Sequence, residues 1–195
     1  MISHEYKTIF IHIPKTAGTS VESMFGFVET LPNSRKFIER TAGKHLLAHE
    51  LKSSSPFEFD NYFKWSIVRN PWEKELSYYN MVKFQLKHRH MDFKQYLKES
   101  ATPQIKNKSR TLRNQVDYLL INDNVAVDEI VRYENLEYGW QRICKKINKP
   151  CEKLNHFRKT KTAEEIHEAY DQECIDIVAD LRKDDIEFLG YDFNF

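Results

Sequence analysis

Residues 9 to 20, IFIHIPKTAGTS, decide the fold class of this chain. The first part alternates apolar and β-branched residues, which predicts a strand over residues 7–13. Pro14 ends that strand, because its ring and missing N–H do not suit a sheet interior. The apolar residues that follow recur at the spacing of one helical face: Val21, Met24, Phe25 and Val28. The stretch therefore predicts a strand, a turn and a helix.

The turn in this stretch carries the residue types of an anion-binding loop. Gly18 lets the backbone approach an anion closely, and Lys15 adds a positive charge. Thr16, Thr19 and Ser20 add hydroxyl donors. The ATP-binding pattern G-x-x-x-x-G-K-[ST] is absent. Taken alone, the turn is equally consistent with a purely structural connection in which Thr16 caps the helix.

A second turn follows the largely apolar run YFKWSIV, which predicts a strand over residues 62–68. Asn70 suits an N-cap, Pro71 the first helical position and Glu73 the third. The predicted helix runs from this start to about Lys87. A strand that leads directly into a well-marked helix start repeats the arrangement of the first turn.

Arg69 and Ser77 are candidate anion-binding residues near the second turn. Arg69 stands between the strand and the helix, and Ser77 lies about two helical turns beyond Asn70. An arginine at a strand end and a serine on the following helix can hold one phosphate together. A charged group at the end of a buried strand needs a partner. Ser77 also fits a small residue at a helix–sheet contact.

Strands separated by helices indicate an α/β protein with a parallel sheet, whose ligands bind beyond the carboxyl ends of the strands. A third strand is predicted over residues 127–134, and residues 116–121 fit either a strand or a helix. Residues 53–56 read as a loop. The remaining helices are expected over residues 45–52, 92–99, 135–147 and 163–186.

The bulk composition of the 195 residues is that of an ordinary globular protein of one domain, residues 1–195. A net charge of +1 argues against binding nucleic acid by bulk charge. No apolar stretch is long enough to span a membrane, and the N-terminus lacks a signal-peptide pattern. The three cysteines lack paired spacing, so we interpret them as reduced thiols of a cytoplasmic protein.

With both turns in this order, the chain resembles the sulfotransferase family. The resemblance is to the branch of carbohydrate and glycosaminoglycan O-sulfotransferases and their small bacterial relatives. It rests on PKTAGTS (14–20) and RNPxxxxxS (69–77), and extends to IVRYENL (130–136) and DIEFLGYDF (185–193). The resemblance implies a P-loop-NTPase-like three-layer α/β/α sandwich with a central, mostly parallel sheet, in a single sulfotransferase domain.

The resemblance also implies a donor, 3′-phosphoadenosine 5′-phosphosulfate (PAPS), with adenosine 3′,5′-bisphosphate as product and no required metal. The first motif would hold the 5′-phosphosulfate through Lys15, Thr16, Ala17, Gly18, Thr19 and Ser20. Arg69 and Ser77 would hold the 3′-phosphate. A basic loop over residues 155–161 would close over the nucleotide, with Arg158 and Lys159 reaching the 3′-phosphate.

Sulfuryl transfer needs a group that takes the proton of the acceptor hydroxyl, and a neutral histidine suits that role. The resemblance implies a catalytic histidine in the stretch before Arg69, where we assign His45, with Lys15 on the leaving-group side. His49 and Glu50 are alternatives, and a packed or capping His45 is the structural one. His45 and His49 are also spaced i, i+4, so on a helix they could bind a metal ion together. The sequence offers no obvious third ligand for such a site.

The acceptor is expected to be a hydroxyl group of a saccharide, with no nucleic-acid partner and no membrane span. The basic stretch over residues 106–113 fits either a surface for an anionic acceptor or an ordinary charged loop. Two other functions stay open. One is a divergent P-loop kinase or NTPase, which would need Mg²⁺. The other is a non-catalytic nucleotide- or glycan-binding module on the same fold.

Overall fold

The computed structural model describes residues 1–26, 45–85, 91–101, 112–154 and 163–194. The chain forms two compact units. The first comprises Met1–Val68 and Asp117–Arg158, and the second comprises Arg69–Val116 and Lys159–Phe195. Each unit is described by itself below.

A four-stranded sheet forms the centre of the first unit. The described strands of this unit, inside and outside that sheet, are β1 (Ile2–Ser3), β2 (Thr8–Ile11), β3 (Phe63–Val68), β4 (Leu120–Ile121), β5 (Asn124–Val125) and β6 (Glu129–Arg132). The sheet has the order β1-β2-β3-β6, and β4 and β5 form a separate hairpin. β1 is antiparallel to β2, whereas β2, β3 and β6 run parallel. This mostly parallel central sheet confirms the predicted mixed α/β class.

The core of the first unit lies against this sheet. Every side chain from Trp65 to Val68 in β3 is buried, as its continuous apolar run predicts. The ring of Trp65 lies 4.6 Å from that of Phe10 and 6.1 Å from that of Trp140. Residues from two helices and from their C-terminal ends complete this cluster: Val21, Phe25, Leu136, Ile143 and Ile147.

The described residues of the two units form a series of α-helices, several of them close to their predicted positions. They are α1 (Gly18–Met24), α2 (Ala48–Ser54), α3 (Pro56–Asn61), α4 (Pro71–Gln85), α5 (Phe93–Ser100), α6 (Val116–Leu119), α7 (Leu136–Lys146), α8 (Ala163–His167), α9 (Gln172–Leu181) and α10 (Lys183–Leu189). None of them combines the length and the apolar character of a membrane-spanning helix.

Two segments, residues 116–121 and 163–186, are each divided into more than one element. Residues 116–121 form the helix α6 and then the strand β4, which turns into β5 through Asn122 and Asp123. Both turn residues have positive φ, 49° and 60°, as a tight hairpin turn requires. The predicted helix over 163–186 is divided, because the Asp171 side chain accepts from Cys174 N at 2.9 Å and starts α9 there.

The predicted helix over 45–52 begins later, at Ala48, and ends later, at Ser54. Leu47 N donates to Glu50 Oε2 at 2.9 Å, which fixes the start of α2. His45 therefore precedes the helix, and the i, i+4 spacing of His45 and His49 does not place them on one helical face. The loop predicted over 53–56 is wrong for three of its residues, because Ser53 and Ser54 belong to α2 and Pro56 begins α3.

The core of the second unit combines side chains of α4, α5, α8 and α9 with Tyr170, and many of them are aromatic. The ring of Phe93 lies 5.0 Å from that of Tyr170, whose hydroxyl donates to Trp72 O at 2.8 Å. The other members of this core are Leu76, Tyr79, Tyr96, Leu97, Ile166, Cys174 and Val178.

Buried charges also hold the second unit together. Arg182 Nε donates to Glu75 Oε1 at 2.8 Å, and both residues are only 1% exposed. Lys74 and Asp185 are buried as well. Burial lowers the pKa of Lys74, and nearby Arg182 lowers it further, whereas burial raises the pKa of Asp185. The group is therefore sensitive to the loss of any one charge.

We expect Arg182→Met to lower the free energy of unfolding by about 3–5 kcal/mol, because Glu75 would stay buried without its partner. Lys183→Met is the control, since its ion pair with Glu187 spans 3.7 Å at the surface and should contribute less than about 1 kcal/mol. Urea unfolding measures both. Equal, small losses for the two variants would contradict a stabilising role of the buried pair.

Candidate functional site

The loop after β2 holds two non-glycine residues in the left-handed backbone region. φ is 69° at Lys15 and 65° at Ala17, where a residue with a side chain is disfavoured by roughly 1–2 kcal/mol. Thr16, which lies between them, is fully buried, and its Oγ1 donates to Ile13 O at 2.9 Å. Backbone strain of this kind is concentrated at ligand-binding and active sites.

The first turn of α1 follows directly from this loop. Ser20 N and Val21 N donate to Ala17 O at 2.9 and 3.2 Å, so the hydrogen-bond ladder of α1 starts at Ala17. The amides of Gly18 and Thr19 consequently have no partner within the helix. Ala17, not Thr16, occupies the N-cap, and no side chain caps α1. The structural alternative in which Thr16 caps this helix is therefore wrong.

Gly18 is required because the ring of His12 lies against its backbone. A Cβ added at Gly18 would lie 2.0 Å from His12 Nε2. The ring is held from the other side by Glu22, whose Oε1 lies 2.8 Å from His12 Nδ1. Both residues are 5% exposed. The pair thus fixes the position of α1 relative to the end of β2.

Gly18→Ala is expected to lower the free energy of unfolding by about 1–3 kcal/mol, because the new methyl group would overlap the buried His12 ring. Thermal unfolding measures this loss. The clash is specific to one side chain, so in a His12→Ala background the same substitution should have a much smaller effect. An unchanged melting temperature in the single variant would contradict the close approach of ring and backbone.

His45 joins this group through the backbone of His12. His45 Nδ1 lies 2.9 Å from His12 O, and since a carbonyl oxygen only accepts, Nδ1 carries the hydrogen. A neutral histidine with its hydrogen on Nδ1 has its lone pair on Nε2, the nitrogen that can take a proton. The two rings meet edge to face, 4.6 Å apart at an angle of 73°. His45 is therefore oriented at the carboxyl end of β2.

The second motif has its own geometry within the second unit. Asn70 Oδ1 accepts from Trp72 N at 3.0 Å, and α4 begins at Pro71, which confirms the predicted helix start. Arg69 Nε donates to Glu73 Oε2 at 2.9 Å, so Glu73 pairs with Arg69. Ser77 is half-buried one turn further along the same face of α4. Arg69 precedes α4, and its partner Glu73 lies on the helix one turn before Ser77.

Comparison with known proteins adds an independent finding. The model of the Sulfotransferase family matches residues 1–192. This chain belongs to the sulfotransferase family. The match covers both motifs described above and supports sulfuryl transfer as the class of reaction. Searches of curated proteins and of solved structures gave no significant match.

The other candidate residues of this sulfotransferase-family protein lie as follows. His49 is exposed on α2, and Glu50 Oε2 accepts from Leu47 N at the start of the same helix. Among the residues that the structure describes, no three His, Cys, Asp or Glu side chains form a group that could hold a metal ion. Arg158, Lys159 and residues 106–111 lie outside the described residues.

His12 and Glu22 are the parts of this site that the sequence did not reveal. His12 directly follows the strand β2 and is buried. The sequence indicated neither its contact with Gly18 nor the hydrogen bond that its carbonyl oxygen accepts from His45. Glu22 stands one turn after Gly18 on α1, so the i, i+4 spacing was the available signal. An acidic residue on the buried face of a short helix should have prompted a search for its partner.

Proposed function

We propose that this protein is a PAPS-dependent O-sulfotransferase that sulfates a hydroxyl group of a saccharide. The observation that carries the proposal is that Lys15, the first-turn amides of α1 and His45 all stand at the carboxyl end of β2. Ligands of parallel α/β sheets bind at that edge. Membership of the sulfotransferase family agrees with this assignment.

The donors of the first motif suit a phosphosulfate. The Lys15 ammonium group and the amides of Gly18 and Thr19 offer positive charge and N–H groups, which sulfate and phosphate oxygens accept. The nearby carboxylate of Glu22 is engaged with His12. Thr16 would contribute through its backbone, because its hydroxyl donates to Ile13 O. Thr19 is exposed, Ser20 is buried, and both keep the hydroxyl roles that the resemblance implies.

His45 and Lys15 have separate roles in the proposed reaction. PAPS, when bound, supplies the sulfuryl group and departs as adenosine 3′,5′-bisphosphate. His45 Nε2 would take the proton of the acceptor hydroxyl as that oxygen bonds to the sulfur atom and the bond from sulfur to the phosphate oxygen on the opposite side breaks. Lys15 and the first-turn amides offset the charge that develops on the leaving phosphate oxygen. No metal is needed for either step.

The second motif would bind the 3′-phosphate through Arg69 and Ser77, as the resemblance implies. The ion pair of Arg69 with Glu73 supports this role, since it fixes the guanidinium on the edge of α4. Arg158 and Lys159 are proposed to reach the same phosphate. We also propose a single domain of the P-loop-like three-layer type, working in the cytoplasm, where the free Cys144, Cys151 and Cys174 would stay reduced.

The proposal is tested by incubating the protein with PAPS and a panel of saccharides that carry free hydroxyl groups. Mass spectrometry should detect products that have gained one sulfuryl group, in amounts that depend on protein and on PAPS. A parallel reaction with Mg-ATP tests the kinase alternative. Phosphorylated products, or binding of PAPS without any transfer to the panel, would contradict an O-sulfotransferase acting on saccharides.

A further inference from the structure

The Gln115 side chain hydrogen-bonds both backbone polar groups of Arg69, the N–H and the C=O. Gln115 Oε1 accepts from Arg69 N at 2.9 Å, and Gln115 Nε2 donates to Arg69 O at 2.8 Å. The side chain is fully buried. An amide group offers an acceptor and a donor side by side, so it imitates the backbone of a neighbouring strand. Arg69 is thereby held where its chain leaves the end of β3.

The segment that carries Gln115, residues 112–116, is itself held by side chains of Arg182, Asp184 and Asp185, of which Arg182 and Asp185 are buried. Arg182 Nη1 donates to Leu112 O, and Val116 N donates to Asp185 Oδ1 at 2.9 Å. Asn114 Nδ2 donates to Asp184 Oδ2 at 2.8 Å. The amide of Gln115 therefore projects toward Arg69 from a support that has little freedom to move.

Arg69 is constrained at two levels as a result. Gln115 fixes its backbone, and Glu73 fixes its guanidinium through a 2.9 Å bond to Nε. Arg69 is 7% exposed. A charged group that is held in place before the ligand arrives binds it more tightly, because less freedom is lost on binding. Loss of the Gln115 amide should leave the charge of Arg69 intact but its position undefined.

We propose that Gln115 is a positioning residue for Arg69 and that recognition of the nucleotide's 3′-phosphate depends on it. This inference rests on the proposed function, in which Arg69 holds that phosphate. It assigns to Gln115 no contact with the nucleotide. The selectivity for a 3′-phosphorylated nucleotide is thus set partly by a buried amide behind the arginine.

The test compares the affinities of two nucleotides by calorimetry. Adenosine 3′,5′-bisphosphate carries the 3′-phosphate, and adenosine 5′-monophosphate lacks it. We expect Gln115→Met, which keeps the volume but not the hydrogen bonds, to weaken binding of the bisphosphate about tenfold or more. Its affinity for the monophosphate should stay within about twofold of the wild type. In an Arg69→Ala background, Gln115→Met should have no further effect on either nucleotide.

Gln172→Met is the matched control, because it removes the same amide group from an exposed position, where Gln172 Nε2 donates to Asp176 Oδ1 at 2.8 Å. It should leave the ratio of the two affinities unchanged. Should Gln115→Met fail to fold, Gln115→Glu is measured at rising pH instead. That side chain keeps its size but loses its donor toward Arg69 O when it ionises. The ratio should then fall with pH relative to the wild type.

The possible results separate this inference from the proposed function. If the wild-type protein binds both nucleotides equally, the proposed function is wrong and this inference falls with it. If the wild type prefers the bisphosphate and the Gln115 variants keep that preference, or lose both affinities equally, the positioning role is wrong while the function stands. A loss confined to the bisphosphate, and absent in the Arg69→Ala background, supports it.

Discussion

Lys15→Ala is expected to reduce sulfuryl transfer from PAPS by about 10²–10³-fold, the effect of removing one preorganised group that stabilises developing charge. The substitution takes the only side-chain ammonium group out of the loop PKTAGTS, residues 14–20. It should also weaken binding of adenosine 3′,5′-bisphosphate about tenfold, since a charge-assisted hydrogen bond to the 5′-phosphate is lost. Steady-state kinetics and calorimetry measure the two effects separately.

Lys7→Ala is a matched control for this experiment. Lys7 is an exposed lysine at the opposite end of β2, and its φ of 44° is also left-handed. Removing it changes the net charge by the same amount but leaves the loop untouched, so transfer and binding should be close to those of the wild type. Lys15→Arg keeps a positive charge and should retain part of the affinity. Full activity of Lys15→Ala would remove the loop from the mechanism.

His45→Ala is expected to lower the turnover number by about 10²–10⁴-fold, the usual contribution of a general base. Binding of adenosine 3′,5′-bisphosphate should be nearly unchanged, because the proposed role of His45 is toward the acceptor hydroxyl. This combination of lost turnover and kept affinity distinguishes a base from a cofactor-binding residue. His49→Ala, on the exposed face of α2, should behave as the wild type.

His45→Asn separates catalysis from structure at the same position. An asparagine amide can still donate to His12 O in place of the Nδ1 hydrogen, but it cannot act as a base near neutral pH. We expect this variant to fold like the wild type and to show the same loss of turnover as His45→Ala. Wild-type turnover in His45→Asn would show that another group, such as His49 or Glu50, takes the proton.

Features that depend on residues close together in the sequence were predictable in this chain. The buried strand β3 and the helix start at Asn70 and Pro71 follow from a run of apolar residues and from capping preferences that act within a few positions. The need of Arg69 for a partner was also predictable from its place after a buried strand. Its partner was not, because Glu73 fits the capping position and the ion pair equally well from sequence alone.

Features that depend on distant contacts were not predictable. Gln115 binds Arg69 across 46 positions of the chain, and no pattern near either residue indicates the pair. The hydrogen bond from His45 to the backbone of His12 spans 33 positions. The spacing of His45 and His49 even suggested a shared helical face, which the late start of α2 at Ala48 rules out. Sequence placed these residue types near the right strand end but not in their mutual orientation.

The ligand dependence of the melting temperature tests the central claim most directly. Adenosine 3′,5′-bisphosphate at about a hundred times its dissociation constant should stabilise the protein by about 2.7 kcal/mol, because it binds the folded state alone. The melting temperature should rise accordingly. In Lys15→Ala, a tenfold weaker affinity should cut the stabilisation at the same ligand concentration to about 1.4 kcal/mol, roughly half, and Arg69→Ala should also reduce the rise. Mg-ATP at the same concentration should raise it far less. No rise with the bisphosphate, or a larger rise with Mg-ATP, would contradict a PAPS-dependent sulfotransferase.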